Sequence, residues 1–512
     1  MKNWKPSYVE VLIGLIVFLS GCSVVIAVMP NECFFYGNAD VDLSPVGMAL
    51  SKAYFNYFDL INFKNQGYIN NGEFHFYRNW PPLHFWLLSK WYGIVGVESI
   101  QAARYFSVII YGITSLFFYW LLVKKHRLSI RVSLISSIVF MLLPVNLESS
   151  YYIYSDIWVN LFWLLAILLL ANPKKLYFGV FAVVCVIGFF FHWFIIFLLP
   201  AYITYHILSK VRHGKVNRFF IFSFFFIVIL SLVFLHSIST DSTLILALEE
   251  HSPLGLFNGN APYLWMGTKQ MVLLFFSVFV LFFLKRQFSK LSLKSLIGLL
   301  KTEQYSGLWY SFSLIIIALL ILLVFMLQWF VVHRHAFMFL SVPLGLCFAY
   351  FLSIIEERSS GSIILLGLSS IIICVAQYLI LYGVTYYRHG KIQVQDENIS
   401  EFIVQRKPSK SLKSNIFFNI NSSINNRRRI NKFAIRERTD SYIFELDSLL
   451  FVDRLDEQMV LSIQKLKALN ALGADESSAF LITERLVDYG DLRLIDSAVY
   501  NNIIVYQLDV ER

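Results

Sequence analysis

Apolar runs of about 18 residues or more recur through the first three quarters of the chain, and no other feature restricts its fold as strongly. A run of that length crosses a hydrocarbon core of about 30 Å as a helix. In that core each backbone N–H and C=O must find its partner within the protein, a condition a helix meets by itself. The runs predict helices at 9–29, 101–123, 132–147, 155–171, 176–190, 193–208, 219–237, 269–284, 308–330, 336–354 and 362–383. The expected fold is therefore a polytopic α-helical membrane protein of about 11 transmembrane helices. Charged residues make up only 15% of the 512 positions, against roughly 25% in soluble domains, which excludes a cytosolic globular protein.

The formal charge of +10 would suit a nucleic-acid binder if it were spread over one surface. Its distribution says otherwise. Alternate connections carry Lys124, Lys125, Arg127 and Arg131; Lys174 and Lys175; Lys210, Arg212, Lys215 and Arg218; and Lys285, Arg286, Lys290, Lys294 and Lys301. With Lys2, Lys5 and Arg358 that side holds 18 bases against four acids, while the opposite side and the helices hold seven against eleven. This is the positive-inside pattern. It orients the first residue to the cytoplasm, sends the segment after 385 outside, and leaves no surface for nucleic acid. The segment 176–208 must form two short helices around Phe189 to His192 for the later orientation to hold.

The cysteines, at 22, 33, 185, 347 and 374, show neither CxxC nor Cys/His spacing, so no zinc site or disulfide framework is encoded. Leu19-Ser20-Gly21-Cys22 resembles a lipoprotein cleavage box. The apolar run continues past it to Met29, which favours a retained first span.

The domain plan is a transmembrane region over 1–385 and a soluble outer α/β domain over 386–512. Within the first, outer segments cover 30–100 and 239–268. Helical spacing of apolar residues from Pro45 to Phe58 and from Leu83 to Val95 predicts two amphipathic interfacial helices in the first outer segment. In the last region, strand-like runs stand at 442–446, 479–483 and 502–508, with a helical pattern at 456–471, after a basic polar stretch from Arg406 to Arg438.

Ionisable residues near a bilayer are costly, so those gathered at helix ends on one side are the candidates for chemistry. On the outer side stand Asp40, Asp42, Arg78, Arg104, Glu148, Asp156, His192, Glu249, His251, Lys269, His333, Arg334 and His335. They supply carboxylates that can take a proton and cations that can hold an anionic group such as a phosphate.

Three stretches carry a resemblance: Asp42-Leu-Ser-Pro-Val-Gly-Met-Ala, Tyr77-Arg-Asn-Trp-Pro-Pro-Leu-His-Phe-Trp-Leu, and Gly96-Val-Glu-Ser-Ile-Gln-Ala-Ala-Arg104-Tyr-Phe-Ser. In order and spacing they resemble the opening of the GT-C glycosyltransferases, in the branch of the protein O-mannosyltransferases and lipid A aminoarabinose transferases. Asp156, in Tyr-Ser-Asp, occupies the place of that family's second aspartate, and His335-Ala-Phe-Met-Phe-Leu-Ser-Val-Pro343 looks like its late run. The resemblance is good over about 1–210, patchy over 240–350 and absent after 385.

The resemblance implies a GT-C-like fold and a bacterial inner-membrane enzyme with a periplasmic active site. Such an enzyme moves a sugar from a polyprenyl phosphate donor, with inversion, to a hydroxyl of a cell-envelope glycan, lipid or protein. Asp42 would be the base and Asp156 would orient the base or acceptor. Arg78, Arg104, His192, Arg334 and His335 would hold the donor phosphate, with Asp40, Tyr77, Trp80 and His333 contacting substrate. Trp86 and the other aromatics also suit interfacial anchoring. No cofactor or metal is required, although Asp40-Val-Asp42 could hold a divalent ion. Two departures stand out: Leu43 and Trp80 occupy places where the family often has a glutamate and a lysine, with Arg78 two residues upstream of Trp80. They imply a changed donor or acceptor. The alternatives are a flippase or transporter of polyprenyl-linked glycan, which would carry midplane polar residues and repeated halves, and a non-catalytic GT-C-like subunit.

Overall fold

The structure, a computed structural model, describes residues 8–29, 83–97, 99–170, 175–192, 341–356, 360–407, 413–419, 441–445, 474–483, 492–500 and 503–509, with single residues at 195, 198, 317, 435, 438 and 439. In chain order these form α1 (Tyr8–Val28), α2 (Leu83–Val95), α3 (Ile100–Trp120) with a π-helical turn (Leu121–Lys125), α4 (Ile130–Leu142), α5 (Pro144–Ser149), α6 (Ile157–Leu170), α7 (Lys175–Phe191), α8 (Ser341–Glu356) and α9 (Ser360–Gln405). Strands β1 (Lys413–Asn419), β2 (Ser441–Glu445), β3 (Ala474–Thr483), β4 (Arg493–Tyr500) and β5 (Ile503–Asp509) follow. The chain divides into two compact units. The described part of the first is α1, Leu83–His84, α3 from Arg104, α4 to α8 and α9 as far as Leu381; the second takes Phe85–Ala103 and the chain from Tyr382 on. The expected helices at 45–58 and 456–471, the spans 219–237 and 269–284, and the segment 239–268 lie outside the described residues, as does nearly all of 193–208 and of 308–330.

Two described helical runs are long and apolar enough to cross a membrane, Tyr8–Val28 and Ile100–Lys125. α1 buries a single stripe, Gly14, Val17, Gly21 and Val25, spaced by three or four residues as one helical face requires. The rest of its surface is exposed and apolar, with Leu12, Leu15, Ile16, Leu19 and Ile26 facing outward. α7 (Val180, Val183, Ile187) and α9 (Ile364, Leu365, Leu368, Ile372, Leu379) do the same. Apolar faces turned outward at helical spacing suit contact with lipid chains and not with water.

Between such helices the hydrophobic effect is weak, and close backbone approach through small residues supplies the packing. Gly112 of α3 meets α1 so closely that an added Cβ would lie 2.6 Å from Cys22 Sγ and 2.9 Å from Phe18. Gly21 faces Ser115 and Gly112 in return. Cys22 thus sits in a helix interface, inside a helix that continues to Val28. Glu10 in the first turn of α1 and Lys124 after α3 form a 2.5 Å ion pair, so the two helices run antiparallel. Gly345 of α8 fits against Phe118 and Phe140 in the same way, two rings stacked at 4.2 Å. In the connection between α3 and α4, buried His126 meets the Tyr350 hydroxyl of α8 through Nδ1 at 2.6 Å, and the Ser129 hydroxyl caps α4 by accepting from Val132 N–H.

Two span boundaries differ from the sequence reading. The helix expected over 132–147 stops at Leu142, because Leu143 turns to ψ 125° ahead of Pro144, whose ring disfavours a helical residue before it; Pro144 then opens α5. The last span, expected to end at 383, continues without a break to Gln405. At 1.5 Å per residue its 46 residues extend roughly 70 Å, and polar residues such as Asp396 and Ser400 fall within it.

The second unit contains a mixed sheet of order β2-β1-β3-β5-β4. β1 pairs parallel to both β2 and β3, and β5 pairs antiparallel to β3 and β4. Ile399, Phe402 and Ile403 from the end of α9 cluster with Ile416 and Phe418, Phe480 and Ile482, Ile503 and Val505, the alternate residues of the central strands. Their neighbours Phe417, Leu481 and Leu508 are buried as well, so these strands are covered on both faces. Arg406, one residue past α9, stacks its guanidinium 3.7 Å from the Phe402 ring and bonds Asp496 at 2.5 Å, which holds the Asp496 carboxyl below the usual range. Strands at 441–445, 474–483 and 503–509 were expected within a few residues; β1, inside the basic stretch, and β4 were not.

The α1/α3 contact is testable. Gly112→Val would force side chains into Phe18 and Cys22, and an overpacking cost of about 1–3 kcal/mol is expected, read as a lower unfolding midpoint in detergent. Gly179→Val, where nothing lies within 4 Å of the added carbon, should leave the midpoint unchanged; equal losses in the two variants would refute close packing at Gly112.

Candidate active site

The candidate site lies at the start of α6, in the first unit. The connection from Ser150 to Asp156 is buried throughout, and Ser107 of α3 donates its hydroxyl hydrogen to Tyr152 O at 2.9 Å. Two backbone bonds, Trp158 N–H to Ser155 O and Val159 N–H to Asp156 O, open the helix at Asp156. Its carboxylate therefore stands at a helix N-terminus, where the backbone dipole favours negative charge.

α7 follows α6 and packs beside it. It ends at Phe191, so that His192, whose N–H still bonds to Gly188 O, comes back to the head of α6. His192 Nε2 lies 2.7 Å from Asp156 Oδ1, with the two side chains 0% and 1% exposed. The imidazole N–H donates and the carboxylate accepts, which places the proton on Nε2. The end of α7 at this point agrees with a chain that breaks near His192. Gly188 is required for the turn, since a Cβ there would lie 2.6 Å from Ile195 and 2.9 Å from Phe162.

A second histidine joins from the Pro-Pro-Leu-His run. His84, in the first turn of α2, accepts a hydrogen bond at Nδ1 from the Trp158 indole N–H at 2.9 Å. Trp158 is held by Phe191 at 4.2 Å and Phe162 at 6.2 Å, and Phe106 of α3 leans on both Trp158 and His84. Burial pushes His84 down to about 3; the Asp156 charge acts upward on it and His192 downward. His84 is thus a neutral imidazole within the electrostatic reach of the Asp156–His192 pair.

Of the residues expected from the sequence, Asp156 and His192 are brought into direct contact. Arg104 is fully buried on α3, three residues and so about one helical turn before Ser107. Asp40, Asp42, Tyr77, Arg78, Trp80, His333, Arg334 and His335 lie outside the described residues, as do Glu249, His251 and Lys269. His84 and Trp158 were not singled out, although His84 stands in the Pro-Pro-Leu-His run and Trp158 follows Tyr-Ser-Asp by two residues. Asn160 was missed too: one turn beyond Asp156 on α6, its amide donates to Ser341 Oγ at 2.9 Å and lies 3.4 Å from Asn146 Oδ1. It ties the head of α8 to the same wall.

Buried neutral histidines make stability depend on pH. His126, like His84, is pushed by burial down to about 3, with Lys125 acting in the same direction. From pH 6.5 toward 3 the unfolded chain takes up protons that the folded chain refuses, so stability present above 6.5 is lost as pH falls. Each histidine contributes about 1.4 kcal/mol per pH unit in that window. The unfolding midpoint should drop between pH 6.5 and 4.5, with a shallower slope in His84→Gln and His126→Gln and the shallowest in the double variant; unchanged slopes would contradict the burial of both rings.

No family model matches the chain, and no curated protein does. Solved structures do match. A crystal structure of ArnT from Cupriavidus metallidurans bound to undecaprenyl phosphate aligns with 98% of this chain and 97% of its own, with a TM-score of 0.56 at 9% identity. The apo ArnT structure from the same organism aligns with 96% and 97%, with a TM-score of 0.46 at 11% identity. ArnT is a lipid A aminoarabinose transferase, a GT-C glycosyltransferase, the branch that the motifs of this sequence resemble. The chain therefore has an ArnT-like polytopic membrane fold, helical with a small terminal sheet.

Proposed function

We propose that this protein is a membrane glycosyltransferase of the GT-C type that takes a sugar from a polyprenyl phosphate donor. The observation that carries the reading is the buried Asp156–His192 pair at the head of α6, set in a fold shared over nearly the whole chain with a protein crystallised with undecaprenyl phosphate. A carboxylate and an imidazole buried together at a helix end are expensive to maintain for packing alone. They suit a site that handles charge transiently.

In the reaction, Asp42 removes the proton from an acceptor hydroxyl on a cell-envelope glycan, lipid or protein. The acceptor oxygen attacks the anomeric carbon of the sugar from the face opposite the phosphate. The bond from that carbon to the phosphate oxygen breaks, its electron pair leaves with the polyprenyl phosphate, and the anomeric centre inverts. Arg78, Arg104, Arg334 and His335 stabilise the departing phosphate, while Asp40, Tyr77, Trp80 and His333 contact the substrates. Asp156 acts through His192, holding its imidazole in one orientation toward the phosphate. The chain before α8 is short enough to serve this site: Arg334 is seven residues from Ser341, at most about 25 Å of chain, and Ser341 is bonded to α6 one turn from Asp156. The site would face the periplasm of a bacterial inner membrane, with the first residue cytoplasmic and the terminal α/β region periplasmic.

Asp42→Asn should abolish sugar transfer in membranes supplied with a polyprenyl phosphate sugar while insertion and undecaprenyl phosphate binding persist. Transfer near the wild-type rate would remove Asp42 as the base. Binding without transfer by the wild-type chain, across a panel of donors, would instead mark a non-catalytic subunit.

A further inference from the structure

His84 and Trp158 form a unit with its own chemistry, and the reaction above leaves it unused. A neutral imidazole carries one proton on one of two nitrogens, and the hydrogen bond at one nitrogen decides which. The Trp158 indole N–H can only donate. Because it points at His84 Nδ1 from 2.9 Å, Nδ1 must be the unprotonated nitrogen and Nε2 must carry the hydrogen. Trp158 cannot turn away, since Phe191, Phe162 and Phe106 surround its ring. Phe106 also sits against the imidazole, with ring centroids 6.0 Å apart. The tautomer is therefore built into the packing of α3, α6 and α7.

Resting on the glycosyltransferase reading, we infer that His84 is a fixed neutral hydrogen-bond donor, through Nε2–H, to an oxygen of the polyprenyl phosphate, and that Trp158 is the positioning residue that sets its tautomer. His84 and His192 then divide the work. His192 is bonded to a carboxylate, whereas His84 is bonded to a donor that leaves it uncharged. Among the described residues, the titratable groups acting on His84 include Asp156 at the head of α6 and His192 after α7; α3, which supplies Phe106, carries buried Arg104. With cationic side chains already assigned to the phosphate, a further buried imidazolium would add desolvation cost. A neutral N–H contributes a directed bond to the anion without that cost and stays in one protonation state across the working pH. The depressed titration of His84, near 3 through burial, agrees with this role. It also makes His84 unsuitable as a general base.

The test uses the full-length protein in lipid bilayers, with undecaprenyl phosphate as the probe. Nitrogen-15 spectra of histidine-labelled protein, with His84 assigned by its loss in His84→Gln, read the tautomer with no lipid substrate present. Wild type should show His84 protonated at Nε2 alone from pH 7.5 to 5, and Trp158→Phe, which keeps a ring in the aromatic cluster, should add an Nδ1-protonated signal. Binding of undecaprenyl phosphate should weaken at least tenfold in His84→Ala. It should stay within about threefold of wild type in His84→Gln, whose amide N–H stands near the Nε2 position. Trp158→Phe should weaken binding three- to tenfold in the wild-type background and have no further effect in the His84→Gln background, where no tautomer remains to be set. An equal loss in the two backgrounds would reduce Trp158 to packing, and wild-type binding in His84→Ala would remove His84 from the phosphate. Inorganic phosphate perturbing the His84 signal as undecaprenyl phosphate does would overturn the lipid assignment. A wild-type chain that binds no undecaprenyl phosphate would defeat the functional reading, while the tautomer would still be decided by the spectra.

Discussion

A carboxylate buried in a bundle of apolar helices must be paired where it stands, and the packing around the candidate site follows from that requirement. Asp156 meets it with His192 at 2.7 Å. For the two to meet, α7 must run back along α6, end at Phe191 and pass His192 across the head of α6. That path needs Gly188, since any side chain there would displace Phe162 or Ile195. Phe162 and Phe191 in turn hold Trp158, which orients His84. One electrostatic requirement thus reaches, through close packing, into the state of a second histidine.

The same chain solves its packing problem in two solvents. Where the outer face is apolar, burial cannot drive helices together, and α1 meets α3 through glycines and small side chains, closed at one end by Glu10 and Lys124. In the second unit the end of α9 packs by the ordinary hydrophobic effect, with Ile399, Phe402 and Ile403 on alternate residues of β1, β3 and β5. Its end is fastened by Arg406 to Phe402 and Asp496. Helix α9 takes part in both kinds of packing, which is why its hydropathy suggested a shorter element than its backbone forms.

Some of the site could be read in advance. Asp156, His192 and Arg104 were marked by being ionisable at the ends of apolar runs, and α2 by helical spacing from Leu83 to Val95. His84 and Trp158 were passed over because a histidine beside aromatics in an interfacial helix, or a tryptophan at a helix start, is unexceptional until its partner is known; the partners are 74 residues apart. Strand β1 escaped notice because its apolar core, Ile416 to Phe418, is short and flanked by Asn415 and Asn419, and it becomes a strand by pairing on both sides with β2 and β3. Strand propensity depends on such neighbours.

By itself the sequence determined that this chain enters a membrane, which of the described stretches become helices, and that Arg104, Asp156 and His192 sit near their ends. Those are local properties: the length of an apolar run, its period, and the cost of charge in hydrocarbon. Only the tertiary structure decided that Asp156 faces His192, that Trp158 faces His84, that the helix after Ser360 continues to Gln405, and that two unremarkable stretches complete a five-stranded sheet. Hydrogen bonds and ring contacts act over a few ångströms between residues far apart in the chain. No local pattern encodes them until close packing brings the partners together.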